Sequence, residues 1–140
     1  MDRVRLPYKE IDMIKVIGLI KRKAGISREE FLRHWKDGHG PLVIGIPELA
    51  RHVRKYVQVH RVSIPELDAQ ERYGQSALPA EYDGAVEMWF DSAEEMQKAF
   101  AVLADPVICK RLREDEDSFI DNAASLSVMV GQEFTILDRK

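Results

Sequence analysis

The sequence has few of the features that hold small disulfide-rich or metal-bound domains together. Cys109 is its only cysteine, which excludes an intrachain disulfide and the cysteine clusters of structural zinc sites. No neighbouring residue suggests an activated thiol, so we expect Cys109 to be a small buried apolar residue. The fold must therefore be stabilised by an ordinary hydrophobic core.

Long apolar runs and an excess of positive charge are also missing. No run approaches the ~20 residues that a membrane-spanning helix needs, and the opening MDRVRLPYKE is too polar for a signal peptide. The chain has 21 Lys and Arg residues but 24 Asp and Glu residues, and its net charge of −3 offers no general attraction to nucleic acid. We expect a cytoplasmic protein with neither a membrane nor a nucleic-acid partner.

What the chain does have is the composition of one globular domain. Hydrophobic residues make up 45% and charged residues 32% of its 140 residues, a mixture that can form a core of normal size. We interpret residues 1–140 as a single domain. Four segments along it have the apolar or alternating patterning of strands: 12–22, 51–62, 84–90 and 124–137.

Helical segments separate these predicted strands. Ser27 carries the capping signal of a first helix, which Gly38 is expected to end, and Ser92 carries the signal of a second. A further helical stretch covers residues 107–121. The segment 63–83 lacks steady periodicity and is predicted to be a long loop. The resulting order of elements is β-α-β-β-α-β.

This order is that of the ferredoxin-like fold, an α+β arrangement in which a four-stranded antiparallel sheet has helices on one face only. Strands rich in Val, Ile and Met would leave a large apolar surface in water on the other face. A second copy of the same sheet, related by a two-fold axis, would cover that surface. We therefore predict a homodimer.

The segment from Ser27 to Leu42, SREEFLRHWKDGHGPL, is similar to the signature helix of the EthD family. The residues that carry the likeness are Phe31, Trp35, His39, Pro41 and Leu42. Two further segments resemble the family: YDGAVEMWFDS from Tyr82 to Ser92, and Asp115-Glu116 followed by Phe119 and Asp121. The resemblance implies a dimeric α/β barrel with a pocket between each sheet and its helices.

The resemblance does not select one reaction. Similar proteins include cofactor-free isomerases, polyketide cyclases, decarboxylases and dehydratases. This chain departs from the family mainly in the loop from Ser63 to Glu81, which is expected to cover or border the pocket. The shape of the substrate is therefore the property that the resemblance predicts least.

His39 is the leading candidate for proton-transfer chemistry, because imidazole takes or gives a proton near neutral pH. The alternative is a histidine that caps the carbonyls at the end of the first helix; the family resemblance favours catalysis. Tyr56 and His60 share one strand face and could hydrogen-bond a developing enolate, although they lie about 13 Å apart along the strand. Either could instead be an ordinary sheet residue.

Aromatic side chains are candidates for the walls of a substrate pocket. Trp35 and Trp89 could bind a planar ligand with their flat rings, or belong to the core. Tyr82, at the end of the predicted loop, is either a hydroxyl donor to the substrate or a turn residue. We therefore include these three residues among the candidates for substrate binding.

Two acidic residues complete the predicted site. Glu87 could orient His39 or bind an arginine such as Arg54, because a carboxylate that faces inward must be paired or protonated. Asp115 could hydrogen-bond a histidine. However, the acidic run 114–117 is expected to be a solvated helix face.

These candidates predict an enzyme that moves a proton next to the carbonyl of a small, planar, aromatic or polyketide-like compound. Isomerisation, cyclisation, dehydration and decarboxylation all stay open. The candidate residues lack local metal-ligand spacing, and we expect neither metal nor cofactor. The first alternative is a carrier or accessory protein that binds such a compound without turnover. The second is a haem- or flavin-dependent oxidoreductase on a related barrel.

Overall fold

The structure is a computed structural model and describes residues 12–62, 64, 82–125 and 128–140. These residues form both strands and helices. The strands are β1 (Asp12–Ile20), β2 (Lys55–His60), β3 (Gly84–Ser92) and β4 (Val128–Gln132). The α-helices are α1 (Arg28–His34), α2 (Gly40–Ile44), α3 (Pro47–Ala50), α4 (Ala93–Leu103) and α5 (Pro106–Phe119). A π-helical segment, Trp35–His39, joins α1 to α2. Most of the predicted loop 63–83 lies outside the described residues.

The strands form one antiparallel sheet in the order β2-β3-β1-β4. With the helices packed against it, this is the ferredoxin-like α+β arrangement, so the predicted fold class is confirmed. The predicted caps are also present, since the hydroxyls of Ser27 and Ser92 accept hydrogen bonds from the backbone of α1 and α4. None of the helices in the described ranges is long and apolar enough to cross a membrane.

Alternation along the strands divides the sheet into two faces. Even-numbered residues such as Val16, Met88 and Phe90 face the helices and belong to, or pack against, the main core. That core is formed by buried residues from the helices and β3: Val43, Ile46, Leu49, Phe90, Ala99 and Leu112. The opposite side, which we call the open face, carries the odd-numbered residues: Lys15, Ile17, Leu19, Val57, Val59, Glu87, Trp89 and Met129.

A second hydrophobic cluster packs α1 and the π-helical segment against the end of α5. Its buried residues are Phe31, Trp35, Phe119 and Ile120. The rings of Phe31 and Trp35 lie 5.8 Å apart, and those of Phe31 and Phe119 lie 5.5 Å apart. This cluster fixes the position of the chain segment that carries His39.

The prediction that the first helix ends at Gly38 is wrong. The helix continues through the π-helical segment into α2. Gly40 donates its N–H to the carbonyl of Trp35, five residues earlier, which is the hydrogen bond of a wider π turn. This turn directly precedes Pro41, whose ring would clash with a carbonyl in a regular helix. Gly38 instead lies close to the side chain of His34, since a Cβ there would lie 3.0 Å from its ring atoms.

The prediction that Cys109 is buried is wrong. Cys109 is exposed on α5. The inward side of this helix follows Ile108, Leu112 and Phe119, and Cys109 lies about 100° around the helix from Ile108. The thiol therefore faces water and takes no part in the core.

A buried carboxylate ties the first helix to the sheet. Asp83, directly before β3, is 1% exposed. It accepts hydrogen bonds from Nε of Arg28 (3.0 Å) and from the backbone N–H of Arg22 (2.9 Å). Because its charge is paired, this buried residue is compatible with a stable fold and joins the start of α1 to β1 and β3.

Gly84, the first residue of β3, is a position where a side chain has no room. A Cβ there would lie 2.5 Å from Cζ3 of Trp35 and 2.5 Å from the carbonyl oxygen of Val59. We predict that Gly84→Ala lowers the free energy of unfolding by roughly 1–3 kcal/mol, the usual cost of overpacking, as measured by chemical denaturation. Gly131→Ala in β4 is the control, because nothing lies within 4 Å of its Cβ. Equal stability of the two variants would contradict this prediction.

Candidate functional site

Two histidines and one carboxylate meet where the π-helical segment packs against α5. Nδ1 of His39 lies 2.8 Å from Oδ2 of Asp115, and Nε2 of His34 lies 3.0 Å from Oδ1 of the same residue. An ionised carboxylate only accepts hydrogen bonds, so each of these two ring nitrogens carries a hydrogen. One carboxylate, that of Asp115, therefore binds both imidazole rings.

The other nitrogen of His39, Nε2, carries the basic lone pair of the neutral ring. In the described residues, every side-chain nitrogen or oxygen either has a hydrogen-bond partner or is accessible to solvent. The hydrogen bond of His39 to Asp115 uses Nδ1. Nε2 is therefore the ring nitrogen that solvent reaches in this residue, which is 7% exposed. This is the arrangement of a general base held by a carboxylate.

The ring of Phe119 packs against both histidines. Its centroid lies 4.6 Å from that of His34, in an edge-on arrangement, and 5.2 Å from that of His39. Phe119 is only 2% exposed, so this apolar ring keeps water away from the side of the histidines that it covers. Hydrogen bonds in such surroundings are electrostatically stronger than in water.

A second polar network lies on the helix-facing side of β2, with Gln58 at its centre. Nε2 of Gln58 donates to the carbonyl of Trp35 (2.7 Å) and to the hydroxyl of Tyr56 (3.0 Å), and its Oε1 accepts from Nε2 of His60 (2.9 Å). Both amide hydrogens are used, so the Tyr56 hydroxyl accepts one of them and keeps its own hydrogen to donate. The Trp35 carbonyl also accepts from Gly40, which ties this network to the π-helical segment.

Burial keeps Tyr56 and His60 uncharged near neutral pH. It raises the pKa of the Tyr56 phenol by more than the hydrogen bond from Gln58 lowers it. Burial also lowers the pKa of His60, and the positive charge of Lys36 lowers it further. The His60 ring stacks on Trp35, with centroids 4.7 Å apart and planes 10° from parallel. Tyr56 is thus a neutral phenol and His60 a neutral imidazole.

Glu116 interacts electrostatically with members of both networks. Burial raises the pKa of its carboxyl, although His39, when protonated, and Arg113 act in the opposite direction. The negative charge of Glu116 in turn raises the pKa of Tyr56. Burial therefore favours the protonated form of this half-buried carboxyl more than water would.

The prediction that the acidic run 114–117 is a solvated helix face is wrong for two of its four residues. Asp115 and Glu116 are half-buried, whereas Glu114 and Asp117 are exposed. Helical spacing was the available signal, because Asp115 and Glu116 lie three and four residues after the buried Leu112. The sequence interpretation considered Asp115 as a partner of one histidine but missed Glu116.

Two other members of the networks were also missed as functional candidates. Gln58 lies between Tyr56 and His60 on one strand face, so alternation could have identified it. His34 is five residues from His39, a spacing that does not share a face in a regular α-helix. Its position therefore could not be predicted without the π-helical segment.

Tyr56 also lines a hollow, to whose walls no other residue of the two polar networks contributes. The hollow has a volume of about 280 Å³, and its walls are largely apolar: Val43, Ile44, Leu49, Ala50, Val53 and Met88, with Arg54 and Lys55 at the side. A second hollow, of about 500 Å³, lies beside His34 and is lined by more polar residues, among them Glu30, Arg33 and Asp37. The first hollow has the apolar walls that small planar molecules require.

The remaining helix-side candidates lie at different places. Trp35 is fully buried and packs against Phe31 and His60, so its side chain forms part of the core beneath the β2 network. Tyr82 lies two residues before β3, where its backbone carbonyl accepts a hydrogen bond from the guanidinium of Arg61 (2.8 Å). Trp35 therefore supports the site from below and does not form an open wall.

Glu87 and Trp89 lie on the open face, away from His39. Both expected partners of Glu87 were wrong, because its carboxylate binds Lys15 at 2.8 Å. Arg54 instead pairs with Asp91 at 2.7 Å. Strand alternation is the physical reason, since odd-numbered residues of β3 face away from the helices that carry His39.

The Trp89 ring is held by charged neighbours on the open face. Its Nε1 donates to Glu133 at 3.3 Å, and Lys15 and Lys55 lie over the ring at 4.4 and 4.8 Å from its centroid. Within the described ranges, no group of three or more His, Cys, Asp or Glu residues is arranged to hold a metal ion. The structure thus separates an acid–base cluster under the helices from a charged aromatic cluster on the open face.

Comparisons with known proteins agree with this architecture. A family model described as the EthD domain matches residues 23–123. The dehydratase ustZ of Ustilaginoidea virens is 30% identical over 124 residues, which cover 89% of this chain and 84% of that protein. Together with the acid–base residues, these likenesses support a catalytic or binding role toward a small molecule.

Solved structures give the same fold. An EthD family protein of Bacillus halodurans C-125 has a TM-score of 0.54 and 24% identity, covering 87% of this chain and 99% of that one. A dimeric protein of unknown function with a ferredoxin-like fold, from Bacteroides fragilis NCTC 9343, has a TM-score of 0.54 and 12% identity, covering 86% and 96%. The resemblance noted in the sequence is therefore confirmed, and the chain belongs to the EthD family.

Proposed function

We propose that this chain is a cofactor-independent enzyme that removes water from a small carbonyl compound, with His39 as the general base. The observation that carries the proposal is the hydrogen bond from Nδ1 of His39 to Asp115, which leaves Nε2 as an accessible basic atom. The 30% identity with a protein named as a dehydratase favours dehydration over isomerisation, cyclisation and decarboxylation.

In the proposed reaction, Nε2 of His39 removes a proton from the carbon next to the carbonyl. Tyr56 donates a hydrogen bond to the developing enolate oxygen, and its raised pKa keeps the phenol protonated. The electron pair of the broken C–H bond first forms the C=C bond of the enolate. When the carbonyl forms again, that pair makes the new C=C bond to the neighbouring carbon, whose C–O bond breaks. The departing hydroxyl takes a proton from Glu116 and leaves as water, after which His39 and Glu116 exchange protons with solvent.

The substrate that suits this site is a planar, aromatic or polyketide-like compound. We propose that its carbon skeleton occupies the 280 Å³ hollow that Tyr56 shares with Val43, Leu49 and Met88. Apolar walls favour a flat hydrocarbon skeleton, and the Tyr56 hydroxyl would bind its carbonyl. His60 supports Tyr56 through Gln58 in this scheme and does not touch the substrate.

The alternative is a carrier that binds the same compound without turnover. Its support is the same apolar hollow, which needs no base in order to bind. The paired orientation of His39 favours the enzyme, because a carrier has no use for an accessible lone pair fixed by a carboxylate. Ligand affinity and turnover therefore distinguish the two functions.

We predict that His39→Gln and Asp115→Asn each lower kcat by about 10²-fold or more, because each removes the oriented base. Ligand affinity should change little, since the apolar hollow is untouched. The measurement is turnover of a panel of hydroxy-carbonyl compounds, with binding followed by calorimetry. Glu114→Gln, a change at an exposed acidic residue of α5, is the control. Wild-type binding without any turnover would support the carrier instead.

We predict opposite effects of Glu116→Gln on stability and on turnover. The pKa of Glu116 is raised because the folded protein disfavours its charged carboxylate. Glu116 therefore lowers the free energy of unfolding once the pH rises above the ordinary pKa of a glutamate. The variant should therefore melt at a higher temperature than wild type at pH 7, and the difference should vanish below about pH 4. Turnover should fall by about 10²-fold.

Glu114→Gln is the matched control for this variant, because Glu114 is exposed on the same helix. It should leave both the melting temperature and turnover close to those of wild type. A Glu116→Gln variant that is less stable than wild type at pH 7 would contradict the assignment, as would one with unchanged turnover.

We also propose that two copies of the chain associate through the open face. Apolar side chains stand exposed there and on the segment that follows β4: Val59 (48%), Met129 (58%), Phe134 (71%) and Ile136 (93%). A two-fold axis through this face would cover them with the same residues of a second copy. The structurally similar Bacteroides fragilis protein is itself described as dimeric.

We predict that sedimentation at micromolar concentration gives the wild-type chain about twice its monomer mass, and that Val59→Glu restores the monomer. The reason is that an unpaired charge buried in an apolar interface strongly opposes association. Val107→Glu is the control, because Val107 is 76% exposed on α5, away from the open face. A monomeric wild type would refute the proposal, and so would a dimeric Val59→Glu variant.

A further inference from the structure

We propose that His34 is a positioning residue, which fixes the carboxylate of Asp115 and thereby holds His39 in the form with hydrogen on Nδ1. The two oxygens of Asp115 are divided between the two rings, Oδ1 to His34 at 3.0 Å and Oδ2 to His39 at 2.8 Å. The mechanistic part of this inference rests on the proposed function, because it concerns the residue that orients the proposed base.

The π-helical segment is what allows both histidines to reach one carboxylate. Residues 34 and 39 are five positions apart, which in a regular α-helix places them about 140° apart around the axis. A π turn closes its hydrogen bonds over five residues, as Gly40 and Trp35 do here, and so brings residues five apart toward one side. The sequence spacing of the pair and the local helix type therefore agree.

The His34 ring is held in place independently of Asp115. Phe119 packs edge-on against it at 4.6 Å, and the backbone at Gly38 approaches it so closely that a Cβ there would lie 3.0 Å from the ring. A ring held on these sides presents its Nε2–H in one direction. A donor fixed in this way limits the rotation of the Asp115 carboxylate, which a single hydrogen bond to His39 would leave freer.

The two histidines differ in their access to solvent. The side chain of His34 is 39% exposed, whereas that of His39 is 9% exposed. The charged groups near the His34 ring are Glu30 and Arg33 of α1, Asp37 of the π-helical segment and Asp115 of α5. His34 is therefore the more exposed member of the pair and His39 the more buried one. This difference agrees with a positioning role for His34 and proton transfer by His39.

The test measures the tautomer of His39 in the free protein by ¹⁵N NMR of the imidazole nitrogens. In wild type, we expect His39 to carry its hydrogen on Nδ1. In His34→Phe, which keeps a ring but removes the donor, the ratio of the Nδ1–H to the Nε2–H form of His39 should fall, because the Asp115 carboxylate is then free to turn away from Nδ1. In His34→Gln, whose amide can still donate to Asp115, most of the wild-type ratio should return.

Two further variants complete the experiment. His52→Phe is the matched control, because His52 also binds a carboxylate, that of Glu95 at 2.7 Å, but between other elements of the fold. His34→Ala is a second variant without a donor, in case the phenylalanine ring does not fit. Once a substrate is identified, kcat should be lower in His34→Phe than in wild type. It should return toward the wild-type value in His34→Gln and stay unchanged in His52→Phe.

An unchanged tautomer ratio in both His34→Phe and His34→Ala would overturn the inference, as would equal losses in the Phe and Gln variants. The NMR measurement needs no substrate, so its outcome is separate from that of the proposed function. If the ratio responds as expected but no carbonyl compound is turned over, the positioning role stands and the enzymatic proposal fails.

Discussion

The candidate site depends on the two hydrogen bonds that His34 and His39 donate to the carboxylate of Asp115. It joins α5 to the continuous helical stretch that starts at α1, and it orients a buried and a solvent-facing histidine with one side chain. The apolar ring of Phe119 lies against both imidazoles and reduces competition from water. A charged hydrogen-bond acceptor in such surroundings is favourable only while its partners are present, so both histidines contribute to the stability of this contact.

The fold brings a second set of polar groups to the same place. The even-numbered residues of β2 face the helices, and Gln58 links Tyr56 and His60 to the carbonyl of Trp35. That carbonyl belongs to the π turn, so the sheet network and the histidine pair are built on one stretch of backbone. The local helix geometry next to Pro41 therefore affects the positions of both His39 and the Gln58 network.

The general layout was predictable because it follows from short-range patterns. Strand alternation, the caps at Ser27 and Ser92 and the order of elements were sufficient for the ferredoxin-like fold. The same patterns identified the strand face shared by Tyr56 and His60. They failed at Gly38, which predicts a helix end but lies inside a continuous helical stretch, because the π turn closed by Gly40 and Trp35 is not visible in residue spacing.

The sequence by itself determined the fold class, the family and the identity of His39 as a residue of interest, because these depend on periodicity and on motif residues close together in the chain. Only the tertiary structure decided which groups meet His39. Asp115 is 76 residues away and Glu116 lies next to it, while Glu87 turned out to face the opposite side of the sheet. Contacts between distant segments depend on how helices pack on a sheet, and no local pattern records that packing.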